Sequence, residues 1–269
     1  MHLITHSDHL QTENFVPDRY QGVWRRRLIK RDSGMIDATT HVYWMQTRRI
    51  FADIRIPVIN LEQKSLNRYS GEEISPLLNQ RGFAGVTSVK DDICQWNIAF
   101  DYQPLKEDPD IGIMRFTKNE RLIEVDVNNR FLEIWERLPG SVGASHAYWF
   151  KSADDHDRQA CLLVSGDYFF FAADRSTSVQ SGGHLVDQMN SSLDLRERTA
   201  KLQSEYSFGR FSPRFPWQIA ISTIPDRIGK ALLPASIGIH ESSIRHAEPL
   251  FPQLGRYAPT NGWIRTATP

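Results

Sequence analysis

A chain of 269 residues with 32 basic and 32 acidic side chains has no global field to draw nucleic acid or an anionic membrane, and it is long enough for one large or two ordinary domains. The opening residues MHLITHSDHLQTENF hold no apolar run of signal-peptide length, and no later stretch is apolar enough to span a bilayer, so a soluble, unexported, cytoplasmic protein is the expectation. Cys94 and Cys161 sit among apolar neighbours (DICQW, QACLLV), where a cysteine behaves as a small buried hydrophobe, and their spacing gives neither a disulfide framework nor a zinc site.

Taken in chain order, His2, His6 and His9 have helical spacing but lie on a frayed terminus, too few for a metal site. Strand signals then dominate: GVWRRRLI (22–29), VYWMQT (42–47), IFADIRIP (50–57), FAGVTSV (83–89), CQWNIAFDYQ (94–103), IGIMRFT (111–117), RLIEVDV (121–127) and FLEIWERL (131–138). The connectors KDD (90–92), TKNER (117–121) and NN (128–129) suit hairpins, so the series reads as a closed antiparallel meander. Period two is clearest in CQWNIAFDYQ, which puts Trp96, Ile98, Phe100 and Tyr102 on one face. In IFADIRIP it puts Ile50, Ala52, Ile54 and Ile56 opposite Phe51, Asp53 and Arg55. One helix interrupts this half, with Ser75 as N-cap, Pro76 at the first helical position and Gly82 as the stop. In the second half HLVDQMNSSLDLRERTAKLQSE (184–205) is helical, with a break near Asn190.

The second half echoes the first. HVYW (41–44) returns as HAYW (146–149), GVWRRRL as EIWERL, FAG (83–85) as FGR (208–210), WNIAF (96–100) as WQIAI (217–221), and IGI (111–113) as IGI (237–239). The order is kept, and drifting offsets are what loop insertions supply, so internal duplication is the expectation. FLEIWERL either closes the first unit or opens the second. The reading is therefore a mainly β chain of two similar antiparallel β-barrels, each with a short helix: 15–140, 141–255, and an extended tail, 256–269, that docks on a barrel or a partner through Trp263.

Gly22-Val23-Trp24 is similar to the G-x-W signature of lipocalins, in which the glycine permits a tight entry and the indole plugs the closed end under a cation from another strand. With Phe83-Ala84-Gly85, LEIW (132–135), VSGDYFFF and FGRFSP…WQIAI, the chain resembles a poorly characterised family of two-barrel, lipocalin-like proteins of fungi and bacteria, known chiefly for a kinase-interacting fungal member. The resemblance implies two calycin-like barrels in one chain and brings no catalytic residues with it.

Barrels of this type hold an apolar ligand in the cup. The expected wall of the first barrel is Tyr43, Trp96, Phe100 and Tyr102, with Arg55 and Arg115 meeting the acidic end of an amphipathic ligand. Against this stands a filled core, since aromatic stripes in strands usually pack, and any single strand charge (Asp53, Arg55, Arg115, Glu124) is ordinarily solvated. Arg55 is lumenal only if the apolar side of its strand is covered. The second barrel, with its YFFFAAD strand, is expected to be filled. A protein-interaction module using barrel exteriors or the tail is the competing reading; an isomerase- or cyclase-type site built from Glu124, His41 and Tyr102 is a third. No P-loop, dinucleotide fingerprint, nucleophile elbow or zinc-protease motif occurs, and no cofactor or metal is called for. The basic run RRRLIKR (25–31) reads as a solvated strand edge.

Overall fold

A computed structural model describes residues 15–58, 60–105, 108–118, 120–152, 157–189, 193–211, 216–233 and 263–266. The first unit contains β1 (Gly22–Arg31), β2 (Ile36–Asp37), β3 (His41–Gln46), β4 (Ile50–Ile56), helix α1 (Gly71–Ile74), β5 (Arg81–Lys90), β6 (Ile93–Asp101), β7 (Asp110–Phe116), β8 (Arg121–Asp126) and β9 (Phe131–Arg137). β3 to β9 form an antiparallel meander, and β1 pairs with both β3 and β9, which closes eight strands into a barrel with β2 as a short extension of β1. FLEIWERL thus closes the first barrel: Trp135 stands opposite Arg26, and Trp24 opposite Arg137. The hairpins turn where the sequence places turn chemistry, with Asp91, Glu120 and Asn129 at positive φ.

The G-x-W segment does what its residue types require. Gly22 has φ +116°, which a β-carbon disfavours, and Trp24 is fully buried at the closed end. Its Nε1 donates to Tyr20 O (2.7 Å), and the Arg137 guanidinium lies 4.6 Å from the ring centroid. The helix before β5 starts earlier than expected. Ser70 is the N-cap, in a capping box with Glu73, and Ser75–Asn79 continues as a 3₁₀ segment, while Gly82 falls inside β5.

The second unit contains β10 (Ser145–Ser152), β11 (Gln159–Ser165), β12 (Tyr168–Ala173), helix α2 (Leu195–Lys201), β13 (Glu205–Arg210), β14 (Gln218–Ser222) and β15 (Trp263–Thr266). They form one antiparallel sheet in the order β14-β13-β12-β11-β10-β15, and among the described residues its edges do not meet. Of the two barrels expected, one closes; a second is not shown, since the other sheet stays open among the described residues. The expected long helix is a 3₁₀ turn, Leu185–Gln188, and the separate α2; Asn190 lies outside the described residues. Part of the tail adds β15 to β10 as an edge strand, and the second IGI and the N-terminal histidines lie outside the described residues. No helix among the described residues is long and apolar enough to cross a membrane.

The open sheet covers the outside of the barrel. Ile50, Ala52, Ile54, Met45 and Phe100 share one buried cluster with Trp149, Leu163, Phe170, Tyr206 and Phe208. Tyr43 stacks on Phe208 (4.5 Å between centroids), Phe100 packs edge-on to Trp149 (5.6 Å), and the Tyr206 hydroxyl donates to Phe100 O (3.2 Å). With its apolar side buried here, β4 turns Phe51, Asp53 and Arg55 inward.

Both units share one local irregularity. In the barrel, Ala84 pairs with Phe100 and Gly85 with Ile98, so Ala99 is an extra residue; in the open sheet, Phe208 pairs with Ile221 and Gly209 with Ile219, so Ala220 is extra. A β-carbon at Gly85 would lie 2.0 Å from Asn97 O, and one at Gly209 2.1 Å from Gln218 O, so both strands need glycine there. The WNIAF–WQIAI echo therefore falls on equivalent places. The HVYW–HAYW echo does not. β4 and β12 each precede the helical segment and pair with the strand after it, yet HVYW lies in β3, one strand before β4, while HAYW lies in β10, two strands before β12.

Candidate ligand cavity

The end of the barrel opposite Trp24 encloses a cavity of about 460 Å³ that opens to solvent. Trp96, Phe83, Ile29 and Ile98 give it apolar wall, but most of the residues that line it are charged or polar. The charges arise from inward-facing strand positions. Arg26 and Asp53 are 8% and 2% exposed, Glu124 4% and Glu133 1%, all within the barrel. Burying such groups is costly unless they are paired.

Pairing is extensive at the floor. Arg26 Nη1 reaches Glu133 Oε1 at 2.7 Å, and its Nη2 reaches Asp37 Oδ2 at 3.0 Å. Arg55 Nε donates to Asp53 Oδ1 (2.8 Å), and its Nη1 crosses the lumen to within 3.6 Å of Glu133 Oε1. Trp135 Nε1 donates to Glu124 Oε2 (3.0 Å), and Gly112 leaves the room that the Glu124 side chain fills. Beneath the main cavity, a void of about 10 Å³ between Trp44, Asp53, Glu124 and Trp135 matches a single water. Trp44 Nε1, buried at this void, has no hydrogen-bond partner, and neither has Glu133 Oε2.

This crowding shifts titration. Burial, then the charges of Glu133 and Asp110, raise Glu124 well above the usual carboxylate range. Burial pushes Asp53 up to about 6 even though Arg55 pulls the other way. Burial opposes the charge on Arg55, but Asp53 and Glu133 outweigh it and raise Arg55 further.

The strand order gives the cavity two unlike walls. In a closed barrel of eight, β4–β5 lies across the lumen from β8–β9. Arg55 and Arg81 stand directly opposite each other on β4 and β5, and Glu124 and Glu133 do so on β8 and β9. Arg81 is half-buried and makes no ion pair among the described residues; burial, then the neighbouring Arg55, depresses its affinity for a proton. Arg31 lines the same mouth from β1.

Of the wall residues expected from sequence, Arg55 and Trp96 line the cavity. Tyr43, Phe100 and Tyr102 do not. The extra residue Ala99 reverses the strand, so Phe100 and Tyr102 leave on the outer side with Tyr43, against the second sheet and helices. Arg115 is exposed, because Met114 occupies the inward position of β7. Of the proposed acid–base trio only Glu124 faces the cavity: His41 is exposed, and the Tyr102 hydroxyl donates to Leu77 O (3.0 Å). Arg26 and Arg31 read from sequence as solvated, but Arg26 shares the inward face of Trp24, and a second bulge, at Arg27, shifts the register of β1 on β9 and brings Arg31 to the same side. The rim is braced by the second unit. Arg175 donates to Tyr102 O and Lys201 O, Gln103 Oε1 accepts from Leu185 N (3.0 Å), and His184 lines the mouth.

No family model matches this sequence, and no curated protein matches it. Two solved structures are similar. A lipocalin-like protein from Bacteroides uniformis is 11% identical, with 45% of this chain covering 99% of that one at a TM-score of 0.30. An uncharacterised protein from Saccharomyces cerevisiae is 12% identical over 75% of this chain and 84% of its own, at a TM-score of 0.48. Neither likeness carries a residue's role across. The closed antiparallel barrel rests on its own strand pairings.

Proposed function

We propose that the barrel binds a small amphipathic molecule whose acidic end docks on Arg81 and Arg31 at the cavity mouth. The observation that carries this is the Arg55–Arg81 pair. Two guanidiniums directly opposite on neighbouring strands repel, and Arg81 has no carboxylate partner among the described residues, so an anion there would relieve the repulsion. The ligand's apolar body would lie on Trp96 and Phe83, in a cavity of ordinary ligand size. Native mass spectrometry of protein purified from its own host, followed by extraction, is expected to yield a bound small molecule with an acidic group, and Arg81→Ala should reduce its occupancy about tenfold. A host-purified protein with an empty cavity would argue for the protein-interaction reading instead.

Two further parts of this reading have their own support. The matching bulges at Gly85–Ala99 and Gly209–Ala220 favour descent of both units from one duplicated ancestor; superposing β12–β14 on β4–β6 in an experimental structure should bring Gly209 onto Gly85. A reducing compartment such as the cytoplasm suits the two buried free thiols, Cys94 and Cys161, and imaging a tagged chain in its host tests it.

A further inference from the structure

The acid side of the cavity is richer in charge than its internal partners require. Around Glu124 stand Asp110 from β7, Asp53 and Arg55 from β4, Glu133 and Trp135 from β9, and Arg26 reaching in from β1. Two guanidiniums thus serve Glu124, Glu133 and Asp53, and Arg26 is further shared with Asp37. The Glu124–Glu133 pair places two acids directly opposite on neighbouring strands, an arrangement that repels when both are ionised. Glu133 Oε2 is buried and accepts no hydrogen bond, in a side chain that lines the cavity. An acceptor left bare in a lined cavity, beside a surplus of acid and the face of Trp96, is chemistry awaiting a donor with positive charge.

We propose that the acidic wall takes a protonated amine, and that the ligand of this barrel is therefore zwitterionic, spanning the lumen from β8–β9 to β4–β5. This rests on the acidic-end reading above, because Arg81 and Arg31 hold the other end. In the empty cavity burial and the charges of Glu133 and Asp110 favour the protonated form of Glu124, the least costly way to relieve the acid surplus. An entering ammonium brings the positive charge itself. The Glu124 O–H bond then ionises, its carboxylate and Glu133 Oε2 accept N–H donors, and the displaced proton leaves to solvent. One proton is released for each amine bound, so charge and atoms balance.

The test is isothermal titration of the full chain at neutral pH, in two buffers of different ionisation enthalpy, with four probes: benzylamine, benzyl alcohol, benzoate and 4-(aminomethyl)benzoate. The zwitterion is expected to bind at least about tenfold more tightly than benzylamine or benzoate, with proton release for both amines and none for benzoate. Glu124→Gln should abolish proton release and weaken benzylamine about tenfold while leaving benzoate unchanged. Should Glu124→Gln fail to fold by circular dichroism, Asp110→Asn, at the half-buried edge of the same wall, should produce the same selective loss of amine affinity. If benzoate binds and benzylamine binds no better than benzyl alcohol, the amine site is wrong and the acidic-end reading stands. If benzylamine binds without proton release, or unchanged in both variants, the acidic wall is not its site and the proposal falls. If no probe binds, the amine site falls as well, and the extraction experiment judges the barrel's binding role separately.

Discussion

β5–β6 of the barrel and β13–β14 of the open sheet carry the same bulge, yet the faces they turn away from each other differ in chemistry. The barrel lumen holds Asp53, Arg55, Glu124 and Glu133 around a cavity. The corresponding face of the open sheet holds Phe150, Leu162, Phe169, Trp217 and Leu233, packed as an apolar cluster. The strands that follow account for the difference. In the barrel, β7, β8 and β9 carry the sheet round to β1 and bring Asp110, Glu124 and Glu133 with them. After β14 the chain instead turns through Pro225–Arg227 and folds back along the same strand: Ile219 N donates to Lys230 O, and Leu232 N to Trp217 O, which lays Leu232 and Leu233 on the face. A closed sheet can exclude water while its charges satisfy one another across a lumen; an open face covered by a short return segment is stabilised by area alone. One unit thus keeps buried charge around a cavity, and the other packs an apolar face.

The sharpest way to break this contrast is to remove a lumenal charge. Arg55→Ala leaves Asp53 without its cation and Glu133 with Arg26 alone, and should cost about 3–5 kcal/mol in urea unfolding, with part recovered when Asp53→Asn is added. A loss below about 0.5 kcal/mol would mean the lumen is wet and the charges are solvated. Next in size, Gly85→Val and Gly209→Val should each destabilise by about 1–3 kcal/mol or more, since both β-carbons would meet a backbone oxygen, and unequal losses would separate the two bulges.

A smaller effect separates the units by pH. Asp53 is raised from 3.8 to about 6, so the folded state holds this proton more tightly than the unfolded chain. Its contribution to stability is therefore fully present below about pH 4 and lost as pH rises through about 6. Glu124, also raised by burial, acts in the same direction. Glu124→Gln should accordingly gain on the parent chain by something on the order of 1 kcal/mol as pH rises from acid to alkaline, read from denaturation midpoints across pH. Tyr206→Phe, between the units, should show no such trend over the same range; its hydroxyl is held un-ionised by burial. Smallest of all, Arg115→Ala, on the exposed side of β7, should change stability by less than about 0.5 kcal/mol and leave probe binding unaltered.

The spans of the eight barrel strands were legible in the sequence because period two and turn residues are local properties. So was the closed end: Gly22 and Trp24 imply a plugged entry under a cation, and Arg137 supplies it. Which residues face the cavity was not legible. Ala99 and Arg27 each insert one residue into a ladder, and one residue reverses every side chain beyond it, which removed Phe100 and Tyr102 from the lumen and turned Ile29 and Arg31 toward it. The clue was Gly85, a glycine inside a strand opposite WNIAF, and it recurs as Gly209 opposite WQIAI. The pairing of Arg26 with Glu133, 107 residues apart, leaves no local signal at all.

Alternation by itself determined that β4 has an apolar face and a charged one. It could not determine which of them is the inside, since a barrel strand presents either face to the lumen according to what covers the other. The second sheet decides it. With Trp149, Leu163, Tyr206 and Phe208 burying Ile50, Ala52 and Ile54 from outside, the apolar face is satisfied there, and Asp53 and Arg55 are left to the lumen, where burial fixes their partners and shifts their protons.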